Sequence, residues 1–111
     1  MPQETSAKLL RIHISESDRH QGKALYEAIV DRCREMKIAG ATVLRGLEGY
    51  GETADMHRAH LMGHNQPILI SIVDSSENIE CLIPVVEKMM DTGVMAVSEV
   101  KAIRVQKIVS K

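Results

Sequence analysis

The segment Pro67-Ile68-Leu69-Ile70-Ser71-Ile72-Val73-Asp74 constrains the fold more than any other part of the chain. Proline opens it, the cap-forming run Asp74-Ser75-Ser76 closes it, and Ser71 is the one polar residue between Ile68 and Val73. A short apolar run bounded by turn signals reads as a strand buried on both faces. A sheet covered by helices on one side and by water on the other would instead alternate apolar and polar residues. Both faces of this strand therefore want cover. The alternative is an apolar edge strand exposed on one side.

The neighbouring segments set the class. Leu10, Ile12 and Ile14 alternate with Leu9, Arg11 and His13, which predicts a half-buried strand over residues 7–14. Ser15-Glu16-Ser17-Asp18 is rich in capping residues and leads into a helix expected over 20–37. Its stripe is Leu25, Ala28, Ile29, Cys33 and Met36, and Gly40 closes it. Residues 41–50 read as a second strand weakened by glycine, whereas 51–66 lack strand character and read as a functional, mobile or partly helical loop. After the strand at Pro67, Asp74 and Glu77 are spaced like a capping box for a second helix. Ile79, Leu82, Ile83, Val86 and Met90 share one face of that helix, Pro84 interrupts it, and Gly93 ends it. A last extended region covers 94–108.

The order β-α-β-β-α-β with right-handed crossovers gives an α+β, ferredoxin-like sandwich: a four-stranded antiparallel sheet with two helices on one face. Residues 1–6 are expected as a flexible N-terminal tail and 7–111 as a single domain. The helices can cover one face of the third strand, so a second copy of the chain is the expected cover for the other.

Composition excludes several functions. With two Tyr and no Phe or Trp, the chain lacks aromatic platforms for stacking bases, and its net charge of −1 is spread without a basic patch. Nucleic acid is therefore not an expected partner. No apolar run reaches the ~18 residues of a membrane span, so direct membrane insertion is not expected. Cys33 and Cys81 fall on predicted helices and read as reduced, buried small hydrophobes of a cytoplasmic protein. No nucleophile–base constellation stands out, so the chain is not read as an enzyme.

Three groups of residues remain as candidate sites. Gly46-Leu47-Glu48-Gly49-Tyr50-Gly51 is the densest glycine cluster, suited either to close approach of a ligand or to a bulge and turn. His57, His60 and His64 sit at i, i+3 and i+7. If 54–62 formed a short helix, the first two would share a face and could ligate a divalent metal with Asp55; otherwise they are solvated loop histidines. Asp18 would cap the first helix and Arg19 form an ion pair, or Arg19, Lys23 and the helix N-terminus would make an anion-contacting corner.

The run from Ser17-Asp18-Arg19-His20-Gln21-Gly22-Lys23 to Val30 resembles the PII-like domain-of-unknown-function family 190. Gly40-Ala41-Thr42-Val43 with Gly46 to Gly51, Pro67 to Asp74 and Gly93 to Val105 fit the same family, so the similarity spans about residues 7–105. The resemblance implies a homotrimer with sheets facing inward and ligand clefts between subunits, near the base of the loop leaving the second strand. In PII proteins such clefts hold ATP or ADP, and the loop reports their occupancy to a target such as a membrane transporter or an enzyme. Carried over, Thr42, Gly49, Tyr50 and Gly51 match the second-strand part of the cleft. PII proteins proper grip phosphate with a glycine and lysine before the fourth strand; here Val94 follows Gly93, and Arg104 and Lys107 could supply charge instead. No Tyr follows Tyr50, so the modified loop tyrosine has no counterpart.

The expected function is thus a PII-like regulatory protein binding a small anionic metabolite, an adenine nucleotide (ATP, ADP or AMP), and signalling through 51–66. The alternative is a metal-responsive module built on His57, His60 and His64.

Overall fold

The first strand is longer than expected. In the computed structural model, which describes residues 3–50, 56–58 and 65–107, β1 runs Gln3–Ser15. Gln3 to Ser6, expected as part of a flexible tail, instead pair in register with Arg104 to Lys101. The remaining elements are β2 (Arg19–His20), β3 (Lys23–Ala24), α1 (Leu25–Glu35), β4 (Thr42–Arg45), β5 (Glu48–Tyr50), β6 (Met56–Arg58), β7 (Pro67–Asp74), α2 (Ser76–Met89) and β8 (Val94–Arg104). The main sheet has the order β4-β7-β1-β8, with every pair antiparallel. That is the ferredoxin-like arrangement.

The core lies between one face of this sheet and both helices. Leu10, Ile12 and Ile14 of β1 and Ile68, Ile70 and Ile72 of β7 are buried against Leu25, Ile29 and Cys33 of α1 and Ile79, Leu82 and Val86 of α2. Aliphatic residues fill the space, with Tyr26 partly buried against it, and no polar residue among those described is buried with them.

The first helix starts five residues later than its capping signals suggest. Gln21 and Gly22 both have positive φ, 51° and 79°, the geometry of a two-residue primed hairpin turn, so Arg19–Ala24 folds as a β2–β3 hairpin. Asp18 therefore caps no helix. Its carboxylate accepts the Ser15 amide at 2.8 Å and its carbonyl accepts the Leu25 amide at 2.8 Å, turning the chain out of β1.

At α2 the cap is Ser75, whose Oγ accepts the Asn78 amide at 3.1 Å. Glu77 forms no box with Asp74 and stays in the first turn, where its charge suits the helix N-terminus. α2 continues through Pro84, whose ring is exposed and whose missing N–H removes one helical backbone bond. Cys81 is exposed, against expectation, because Ile79, Leu82 and Val86 define the inward stripe.

The expected second strand is two strands. β4 ends after Arg45: the Gly46 amide still donates to the Pro67 carbonyl at 2.7 Å, but Pro67 has no N–H to return a bond. β5 then pairs with β6, so part of the region read as non-strand is a strand.

Two positions, one a glycine and one a carboxylate, make this architecture testable. Gly93 has φ +131°, and a Cβ there would lie 2.7 Å from the His13 carbonyl; Gly40 has open space around it. Gly93→Ala is expected to cost about 1–3 kcal/mol and Gly40→Ala about 0.5 kcal/mol or less in urea unfolding. Asp74 ties the α1–β4 connection to α2 by accepting from the Ala39 amide (2.9 Å), the Ser75 amide (2.6 Å) and the Asn78 side chain (3.1 Å). Burial pushes its carboxyl upward, but these three donors outweigh that and hold it below its ordinary value of 3.8. A lowered folded-state value means stability present above pH 4 and lost as pH falls through that lowered value. Asp74→Asn should cost roughly 1–2 kcal/mol at pH 7, with the gap to wild type shrinking in unfolding curves taken near pH 3.

Candidate functional site

Three chain segments converge where β1 leaves the sheet, β4 leaves it and β7 enters it. Ser15 is paired with Pro67 across β1 and β7, and the Glu16 amide donates to the Gln66 carbonyl at 2.8 Å. Ser15 Oγ and Ser17 Oγ both donate to Asn65 Oδ1, at 2.5 and 2.8 Å. On the other side, Arg45 Nη2 donates to Glu16 Oε2 at 2.5 Å. The turn after β1 thus holds both the residue leading into the 46–66 segment and the residues leading out of it.

Glu16 is the unusual member. Its side chain is 16% exposed, against 52% for Arg45. Its second carboxylate oxygen, Oε1, is buried without a hydrogen-bond partner among the described residues. A half-satisfied buried carboxylate makes the pair with Arg45 weaker than a fully bonded one.

The glycines at this corner are shaped by packing. A Cβ on Gly46 would lie 2.8 Å from the Pro67 ring, and one on Gly49 would lie 3.2 Å from it. Pro67 therefore occupies the space that both glycines leave open. Since the Gly46 amide is already bonded to Pro67, it is not free to hold an anion.

Within one subunit the sequence-derived candidates lie in separate places. Gly46 and Gly49 sit on Pro67, and Tyr50 ends β5 beside them in the chain; Gly51 lies outside the described residues. Thr42 is on β4 in register with Ser71, which is in register with Arg11, on the face opposite the helices. Arg104 pairs with Gln3, at the far end of β1 from Ser15.

Arg19 and Lys23 are on the β2–β3 hairpin. Arg19 has no ion pair among the described residues; Lys23 has one, with Asp31. The hydrogen bond between them holds the Lys23 ammonium above its usual range and the Asp31 carboxyl below. Lys23 also lines an open groove of about 700 Å³ between the helices, with His20, Arg32, Pro84 and Lys88.

Of the histidines, the backbone of His57 is in strand β6, so the helical spacing invoked for it does not hold, and His60 and His64 lie outside the described residues. Among the described residues no group of three His, Cys, Asp or Glu side chains could hold a metal ion. Burial pushes the Cys33 thiol upward, away from the thiolate a nucleophile needs. Among the described residues, no helix is long and apolar enough to cross a membrane.

Sequence reasoning missed Glu16, Arg45 and Asn65. Arg45 directly precedes the glycine cluster, a signal that could have drawn attention to it. Nothing local, however, announces a pairing with Glu16 across 29 positions.

Comparisons with known proteins agree with this architecture. The model of the DUF190 family, described as Uncharacterized ACR, matches residues 7–102. A UPF0166 protein of Aquifex aeolicus (strain VF5) is 32% identical over 98 residues, covering 86% of this chain and 92% of that protein. Among solved structures, CPII, a nitrogen regulatory PII-like protein from Thiomonas intermedia K12 bound to ADP, AMP and bicarbonate, superposes with a TM-score of 0.68 at 23% identity, covering 90% of this chain and 91% of that one. A PII-like signalling protein from Thermus thermophilus gives 0.62 at 17% identity, with 89% and 90% covered. At these identities the structural likenesses establish the fold. By the extent of the family match, residues 7–102, and its agreement with the curated relative, the chain belongs to the DUF190 family.

Proposed function

We propose that this chain is a PII-like regulatory protein, not an enzyme: a homotrimer that binds an adenine nucleotide in clefts between subunits and signals occupancy through residues 51–66 to a target protein. The observation that carries the assembly is the sheet face opposite the helices. Leu44, Val73 and Val94 are 52%, 43% and 40% exposed on it, and Leu9 and Leu69 are half-buried between them. In register these form rows, Leu44–Leu69–His13–Val94 and Val73–Leu9–Ser98, with Arg11 between them. An apolar patch of this extent on a small domain is an interaction surface. A second and third copy are the occupants that make the surface and its clefts self-complementary.

The nucleotide part is supported by CPII, which shares the fold and was solved with ADP, AMP and bicarbonate. The free thiols of Cys33 and Cys81 favour the cytoplasm as the site of action. Candidate ligand contacts are Thr42, Gly49, Tyr50 and Gly51 of one subunit, with Arg19, Lys23 or Arg104 supplied across the interface. For a nucleotide to act as a signal it must bind one arrangement of the loop base more tightly than the other.

Two measurements check the two halves of this reading. Calorimetry with ADP, AMP and ATP titrated separately should give saturable heat with at least one of them, near one site per chain; no heat from any would remove the nucleotide. Leu44→Lys should leave the far-UV circular dichroism unchanged, because Leu44 is largely exposed in the subunit. The same change should weaken self-association about tenfold or more, by placing a charge beside Arg11 and His13 in the interface. Unaltered assembly in that variant would exclude this face.

A further inference from the structure

The glycine corner needs a cation if it is to hold a phosphate-bearing or other anionic ligand. Within one subunit Arg19 and Lys23 are on the hairpin toward the helices, with Lys23 paired to Asp31, and Arg104 is at the other end of β1. The cation covalently adjacent to Gly46 is Arg45, and it is half exposed. In this structure it is engaged through one nitrogen to Glu16 Oε2. A guanidinium carries five N–H donors in a fork that suits two-oxygen anions, so this contact, the one it makes among the described residues, uses a small part of that capacity.

We infer that Arg45 is the anion-contacting residue at the base of the 46–66 segment, and that Glu16 is its built-in competitor. The inference rests on the ligand-binding reading above. Glu16 accepts Arg45 with one carboxylate oxygen while the other is buried unbonded among the described residues. An arriving two-oxygen anion competes with Glu16 for the guanidinium, and the exchange requires the freed Glu16 carboxylate to turn out to water.

The consequence reaches both ends of the loop. The Glu16 amide is bonded to Gln66, and the flanking Ser15 and Ser17 hydroxyls are bonded to Asn65. Releasing Glu16 from Arg45 therefore loosens the outgoing and the returning strand together. Anion binding is opposed by the fraction of molecules in which the clasp is shut, and removing the competitor raises apparent affinity by that fraction.

The test uses the full chain, ADP as probe, and the variants Glu16→Gln, Arg45→Gln and the double variant. Glu16→Gln is expected to bind ADP about fivefold more tightly and Arg45→Gln at least about tenfold more weakly. In the Arg45→Gln background, adding Glu16→Gln should change affinity by less than about twofold. A tightening of equal size in that background would show that Glu16 acts as a general negative charge and overturn the proposal, as would unchanged or weaker binding in Glu16→Gln alone.

Amide hydrogen exchange without nucleotide gives a second readout. Residue 16, bonded to Gln66, should exchange faster in Glu16→Gln than in wild type. If no form of the protein binds ADP, the nucleotide reading falls, and exchange decides the clasp by itself: faster exchange at residue 16 supports it, and unchanged exchange overturns it.

Discussion

A four-stranded sheet with helices on one side has one face it cannot cover, and the rest of this molecule is organised around that fact. On the covered face Ile68, Ile70 and Ile72 of β7 are at most 2% exposed. On the other face the same strand offers Leu69 and Val73, and its neighbours offer Leu9, Leu44 and Val94. Covering that area with water forfeits roughly 25 cal/mol for every Å² of apolar surface that a second chain could bury. Arg11 and His13 stand in its centre, so whatever covers it must also accommodate two cationic or polar groups per copy.

Much of the fold was legible from periodicity. The alternation of Leu10, Ile12 and Ile14 and the stripes Leu25–Ile29–Cys33 and Ile79–Leu82–Val86 each report burial directly, and all three hold in the structure. The run in β7, read as buried on both faces, is buried on one within the subunit, with Val73 43% exposed on the other. What failed were boundaries decided by contacts distant in sequence. Arg19–Ala24 looks like the start of a helix until Gln21 and Gly22 take left-handed conformations and Asp18 turns the end of β1. Gln3 to Ser6 look like a polar tail until β8 supplies hydrogen bonds along their whole length. Residues 56–58 have no strand signature and gain theirs from β5.

The candidate site was less legible, for a related reason. Glycines mark the corner, yet Gly46 and Gly49 are small because the Pro67 ring lies against them, and Pro67 is about twenty positions away. Glu16 and Arg45 carry the electrostatics there, and each reads as an ordinary surface charge until the fold brings them together. Composition and spacing found the neighbourhood; the pairing needed the topology. The ferredoxin order makes the exits of β1 and β4 and the entry of β7 adjacent, so one turn can touch both ends of the segment between β4 and β7.

The intersubunit nucleotide clefts presuppose that the helix-free face is occupied by other copies of the chain. Sedimentation velocity on the unmodified protein at micromolar concentration tests this most directly. A single species of about three times the 12.3 kDa chain mass is the expected result. A stable 12.3 kDa particle with its apolar face in water would contradict it.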